Sequence, residues 1–145
     1  MKPIYDLFDD VWKKKEDQDW DCVYIMIDLH GVIIPPNYHR INDLQFIHRY
    51  TQQCLQYFSD QDDIKLILWS SSYKEEIQKV VKWLASNKIY FDYFNENPLE
   101  NNTKYADFSK KPYFSILLED KAGFTENDWV EINRWIAIRE MSKLK

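Results

Sequence analysis

Val23-Tyr24-Ile25-Met26-Ile27-Asp28-Leu29-His30-Gly31 is a nearly continuous apolar run, rich in β-branched residues, that carries one carboxylate near its end and stops at a glycine. A run that is apolar at both alternations suits a strand buried on both faces, the pattern of parallel sheets covered by helices. Ile64–Trp69 repeats the pattern and is followed by Ser70-Ser71-Ser72. A third apolar segment, Tyr113 to Leu118, runs into Glu119-Asp120-Lys121, and a shorter one spans Tyr90 to Phe94.

Helical spacing fills the intervals. From Asn42 to Phe58, the residues Leu44, Ile47, Tyr50, Thr51, Cys54, Leu55 and Phe58 predict an amphipathic helix, with Asn42 or Asp43 as its cap. Ile77, Val80, Val81 and Leu84 predict a second helix after the serine triplet. Thr125-Glu126-Asn127-Asp128 resembles a capping box ahead of a third, which carries Trp129, Ile132, Trp135, Ile136 and Met141. Strands alternating with helices predict an α/β fold, a Rossmann-like three-layer sandwich with a central, mostly parallel sheet. Ligands in such sheets bind at the carboxyl ends of the strands. Asp28-Leu29-His30-Gly31, Ser70-Ser71-Ser72 and Glu119-Asp120-Lys121 are therefore expected to converge on one crevice.

An aspartate at the end of a buried strand is costly unless it is hydrogen-bonded, paired or bound to a metal. Asp28 meeting Glu119 and Asp120 would be repelled unless a hard cation lay between them, and oxygen ligands of this kind suit Mg²⁺. Without a cation, the same residues would be a lattice of surface carboxylates.

Three segments taken together resemble a known family. IMIDLHGVI (residues 25–33) is similar to the first motif of the haloacid dehalogenase-like phosphohydrolases, LILWSSS (66–72) to the second, and KKPYFSILLEDKAGF (110–124) to the third and fourth. The motifs occur in the family's order and cover the chain from Val23 to Phe124. The resemblance implies phosphoryl transfer through an aspartyl-phosphate on Asp28. It also implies Mg²⁺ held by Asp28, the main-chain carbonyl of His30 and Asp120, with Glu119 in support and Ser70 donating to the phosphate. A lysine would balance the charge of transfer; Lys104, Lys110 and Lys111 all precede the last core strand, and Lys111 fits the compact arrangement of small members best. Ser71 competes with Ser70 for the phosphate.

His30 stands where the family carries a second aspartate that acts as general acid and then base. A histidine, with an unperturbed pKa of about 6.5, can do that work near neutral pH. The same departure motivates two other expectations: a binding or regulatory module that keeps the fold without turnover, and hydrolysis of a different bond. His39 is a candidate to face the crevice from its loop, and His48 is expected to be structural. The 38 residues between Gly31 and Ser70 hold one loop and one helix and leave no room for a cap domain. Members without a cap resemble enzymes acting on proteins or polynucleotide ends, so the expected partner is a phosphorylated substrate that includes macromolecular ones.

Composition sets the outer bounds. The chain has 145 residues, 45% of them hydrophobic, with two glycines and five prolines, and no linker or repeat divides it, so one domain over residues 1–145 is expected. The formal net charge of -5 has acids and bases mixed along the chain, which disfavours generic binding to a phosphate backbone. A single oligonucleotide end in an active site needs no basic surface and stays open. Cys22 and Cys54 form no metal or disulfide pattern and read as buried thiols in a reducing compartment. No apolar run approaches the roughly 18 residues of a membrane span, so a cytoplasmic protein is expected. Trp83, Trp129 and Trp135 fall on helical patterns and belong to the core, whereas Trp12 and Trp20 flank a charged run that reads as a solvated helix end.

Overall fold

A computed structural model of the chain describes residues 2–36, 44–96, 98 and 114–144. It is an α/β fold whose four strands, β1 (Val23–Asp28), β2 (Ile64–Trp69), β3 (Tyr93–Phe94) and β4 (Ile116–Leu118), form one parallel sheet in the order β3-β2-β1-β4. Four helices accompany them: α1 (Ile4–Asp17), α2 (Thr51–Asp60), α3 (Lys74–Ser86) and α4 (Asp128–Ser142). Between β1 and β2 the described residues form a turn, an irregular stretch and α2, with no inserted domain among them. Among the described helices none is long and apolar enough to cross a membrane.

The two long strands occupy the centre because they are apolar at both alternations. Val23, Ile25 and Ile27 of β1 join Ile64, Leu66 and Leu68 of β2 and Ile116 and Leu118 of β4 in one core with residues of all four helices. Met26 and Ile67, which alternation turns to the opposite face, are also buried, so both faces of the sheet are covered. Register places Asp28 beside Trp69 and Ile27 beside Leu118. The chain therefore leaves β1, β2 and β4 at the same level, and the polar residues that follow all emerge at one edge.

Three elements differ from the sequence expectations. The helix expected from Asn42 begins only at Thr51. His48 donates its N–H to Thr51 Oγ1 at 3.2 Å and accepts the Tyr50 N–H on its Nδ1 at 3.1 Å, while Ile47 donates to the Ile33 carbonyl at 2.8 Å. These bonds draw the segment along the turn after β1, and Leu44, Phe46 and Ile47 reach the core without a helix. Asn42 and Asp43 lie outside the described residues. The strands at the two sheet edges are shorter than their apolar runs, and Tyr113 lies outside the described residues.

The third difference is α1: the charged run from Lys13 to Asp17 is the helix end that was expected, but the acidic, interrupted segment before it hid the body of the helix. Ile4, Leu7, Phe8 and Val11 share one face of it, Asp6 lies in the first turn and Lys14 and Lys15 in the last, matching the helix dipole. That face packs on α4, with Phe8 against Phe58 and Trp135. Trp12 finds its place there: its ring lies 4.6 Å from that of Trp135, and its N–H donates to Asp63 at 3.0 Å. Asp63 also pairs with Arg139 at 2.7 Å. Trp129 and Trp135 are core as expected, whereas Trp83 is half-buried against Phe46. Cys54 is buried, but Cys22 is half-exposed, because it precedes β1 in the loop that enters the sheet.

The capping box before α4 is half made. Thr125 donates its N–H to Asp128 Oδ2 at 2.9 Å, the back-reaching arm of that motif.

Candidate functional site

Each strand end presents its polar residues through local bonding. At the end of β1, Asp28 Oδ1 accepts the Leu29 N–H at 2.9 Å, and the chain turns at once: Ile33 and Ile34 both donate to the Leu29 carbonyl, and Gly31 donates to that of Ile34 at 2.8 Å. Gly31 adopts φ +84°, a left-handed conformation that a side chain strains. Space is as decisive as angle there, because a Cβ on Gly31 would sit 2.9 Å from the carboxyl carbon of Asp120, with a carboxylate oxygen nearer still. The glycine lets the carboxylate of the β4 end close on the β1 turn.

After β4, Glu119 caps one turn of 3-10 helix, Asp120–Ala122, by accepting the Lys121 N–H at 3.0 Å, and Gly123 ends it at φ +109°. After β2, Ser70 donates its N–H to Asn95 Oδ1 at 2.7 Å, and its hydroxyl bonds Ser72 Oγ at 3.1 Å. Ser72 in turn lies 3.3 Å from His30 Nε2. A hydroxyl-imidazole chain thus links the β2 and β1 ends.

These ends wall a cleft of about 340 Å³, lined by Asp28, His30, Trp69, Ser70, Ser71, Leu117, Glu119 and Lys121. Asp120 does not line it but joins the group from the side of Gly31, and one oxygen each of Asp28, Glu119 and Asp120 lie within 4.8 Å of one another. Burial pushes the Asp28 carboxyl up to about 6; the Leu29 N–H opposes the shift, Glu119 and Asp120 add to it, and Lys121 offsets part of it. Burial holds the His30 imidazole below its ordinary value, against the pull of Glu76. His30 is accordingly neutral at pH 7.

Of the residues singled out from sequence, the fold brings Asp28, His30, Ser70, Ser71, Glu119 and Asp120 together. Lys104, Lys110, Lys111 and His39 lie outside the described residues. His48 sits in the turn before α2, where its ring serves the backbone. Lys121, expected in the crevice together with Glu119-Asp120, does line it, and it is the cation that the described part of the cleft presents, although the sequence reading looked for the charge-balancing lysine before β4. Sequence reasoning passed over Ser72 and Glu76 as partners of His30, which no spacing rule would have found.

The donor set suits a hard divalent cation. Three carboxylates share one small volume, and Asp28 is raised first by burial and then by the other two, so a cation there would offset the cost of ionising it.

No family model matches the chain, and no curated protein matches it. A solved structure, described as that of a conserved protein coded by a locus from Bacteroides thetaiotaomicron, is similar with a TM-score of 0.62 and 21% sequence identity, over 81% of this chain and 92% of that one. The likeness supports the parallel α/β sandwich and names no activity.

Proposed function

We propose that the chain is a Mg²⁺-dependent phosphohydrolase that cleaves a phosphate monoester through an aspartyl-phosphate on Asp28. The observation that carries this reading is the trio of carboxylates at the carboxyl edge of a parallel sheet, on the wall and flank of an open cleft beside a serine hydroxyl and a lysine. It agrees with the haloacid dehalogenase-like motifs at the same strand ends.

Asp28, Asp120 and the main-chain carbonyl of His30 are the groups that would hold Mg²⁺, with Glu119 in support. When bound, the ion would supply neutralising charge to the phosphoryl oxygens and keep Asp28 ionised. An Asp28 oxygen attacks phosphorus, the bond to the leaving oxygen breaks, and that oxygen takes its proton from His30. Water then attacks the phosphoryl group, His30 receives its proton, and phosphate departs with Asp28 restored. The Ser70 hydroxyl, or that of Ser71, donates to the phosphoryl group, and Lys121 or Lys111 balances its charge. The two free thiols agree with action in the reducing cytoplasm.

One observation favours a second reading, a binding module that keeps the metal site without turnover. His30 is 4% exposed and engaged with Ser72, so its imidazole is neutral and already bonded. Phosphate release from small phosphates, phosphopeptides and 3′- or 5′-phosphorylated oligonucleotides, with Mg²⁺ or chelator, separates the two. Turnover that needs both Mg²⁺ and the Asp28 carboxylate, lost in Asp28→Asn, establishes the hydrolase. Tight Mg²⁺ binding with no turnover across the panel establishes the module.

A further inference from the structure

Beside the cleft lies a larger groove of about 780 Å³ between α3 and the edge strand β3, with Ile77, Val81 and Phe94 as its apolar part. Ser72 lines this groove and bonds Ser70, which lines the cleft, so the two spaces share a wall one hydroxyl pair thick. Lys74, Gln78 and Lys82 recur every fourth residue and form one stripe along α3, and both lysines line the groove. No carboxylate is among its described lining residues, in a chain whose formal net charge is -5. The acids of that helix, Glu75 and Glu76, fall off the stripe.

We infer that this groove seats the leaving-group side of the substrate, and that the substrate is the phosphorylated end of a single-stranded oligonucleotide. The inference rests on the phosphohydrolase reading for the role of the cleft, and it adds the class of molecule that the cleft receives. An apolar floor with an aromatic ring accepts bases irrespective of sequence, and the two lysines lie about 12 Å apart along the helix axis, a spacing that suits two separate backbone phosphates rather than one. Gln78 and Asn95 supply the donors and acceptors that base edges use. A peptide fits less well. Among the described residues β3 is two residues long, too little ladder for an added strand, and two lysines repel a basic peptide and find no charge to pair with on a neutral one. The site is local, in keeping with a chain whose acids and bases are mixed along its length.

Lys74 and Lys82 are exposed, so Lys74→Glu with Lys82→Glu leaves the fold intact. The wild type and this double variant are compared on three probes with Mg²⁺: p-nitrophenyl phosphate, a terminally phosphorylated single-stranded hexanucleotide and an acidic phosphopeptide. The equilibrium binding of a labelled hexanucleotide without the terminal phosphate is measured against salt. The expected result is KM for the phosphorylated hexanucleotide raised about tenfold, with kcat/KM for p-nitrophenyl phosphate within about twofold. Binding of the labelled strand should weaken similarly, with the log–log salt slope flattened by roughly 1.4, the value for two phosphate contacts on a single strand. Unchanged binding, an equal loss on p-nitrophenyl phosphate, or a loss confined to the phosphopeptide would each overturn the inference. If no probe is turned over, lysine-dependent binding of the strand still supports the groove and sinks only the hydrolase reading; absence of binding sinks the groove.

Discussion

Asp28→Asn should stabilise the metal-free protein at pH 8 while removing its response to Mg²⁺. The Asp28 carboxyl is pushed from 3.8 to about 6 in the fold, by burial and then by Glu119 and Asp120. A carboxyl whose folded pKa lies above its unfolded one favours the fold fully below pH 3.8, and that contribution is lost as pH rises through 6. A shift of this size corresponds to about 3 kcal/mol; Asp28 is half-buried, and solvent screening reduces this to about 1–2 kcal/mol. The amide keeps the oxygen that accepts the Leu29 N–H and discards the charge. Urea denaturation in chelator should therefore show the variant more stable by about 1–2 kcal/mol at pH 8, or about 3–6 °C in Tm, with the gap closing as pH falls from 6 to 4. Saturating Mg²⁺ should reverse the order, because a site held at a hundred times its Kd adds about 2.7 kcal/mol to the wild type. Equal stabilities at pH 8 in chelator, or a gap that persists at pH 4, would refute the account of Asp28 as a strained member of a carboxylate trio.

Further consequences follow from the same geometry. Gly31→Ala meets both the left-handed backbone and the Asp120 carboxylate, and should cost about 2 kcal/mol or more and weaken Mg²⁺ affinity at least about tenfold, read by thermal melts and metal titration. Cys54, pushed up to about 12 by burial, should resist a thiol reagent at pH 8 while Cys22 reacts, giving one fast thiol per native chain and a second only after unfolding. Arg139→Ala should destabilise by about 2 kcal/mol, and a double-mutant cycle with Asp63→Asn should show coupling, since one guanidinium holds Asp63 and covers the Trp12 and Trp135 rings. If His30 supplies the leaving-group proton, its lowered pKa makes the protonated form scarce at neutral pH. Turnover of alkyl phosphates should then rise as pH falls from 8 towards 6, and His30→Ala should remove that rise while sparing aryl phosphates; an unchanged pH profile would eliminate the role.

What could be inferred from sequence, and what could not, divides along physical lines. The strands β1 and β2 were legible because a strand buried on both faces is apolar at both alternations, and only Lys65 and the terminal Asp28 interrupt the two runs. From that, a parallel sheet carries its own prediction: strand ends separated by about 90 residues in sequence meet at one edge, which is why Asp28, Ser70 and Asp120 could be grouped before any coordinates. The charged end of α1 was read as a helix end, but the body before it was missed although Ile4, Leu7, Phe8 and Val11 have the spacing of an amphipathic face, because the acids between them dilute the hydrophobic signal that a helix needs only on one side. The start of α2 was missed for a different reason. Apolar spacing records which residues reach the core, and Leu44 and Ile47 reach it through an extended chain tied to Ile33.

Within the site, the carboxylates were legible and their neighbours were not. A carboxylate at a strand end is placed by the sheet, so its neighbours follow from topology. His30 is placed by a turn, and its burial, its bond to Ser72 and its distance from the charge of Glu76 all depend on how that turn packs against the start of α3. The residue at which the first motif departs from its pattern is thus also the one whose state the sequence could not supply. An imidazole whose pKa burial lowers and whose Nε2 faces Ser72 is a better proton acceptor than donor at pH 7. If the proposed transfer runs through Asp28, the second step, in which water attacks and its proton is taken, should be the easier one, and protonation of the leaving group should limit the first. Substrates whose leaving oxygen is already a weak base escape that limit.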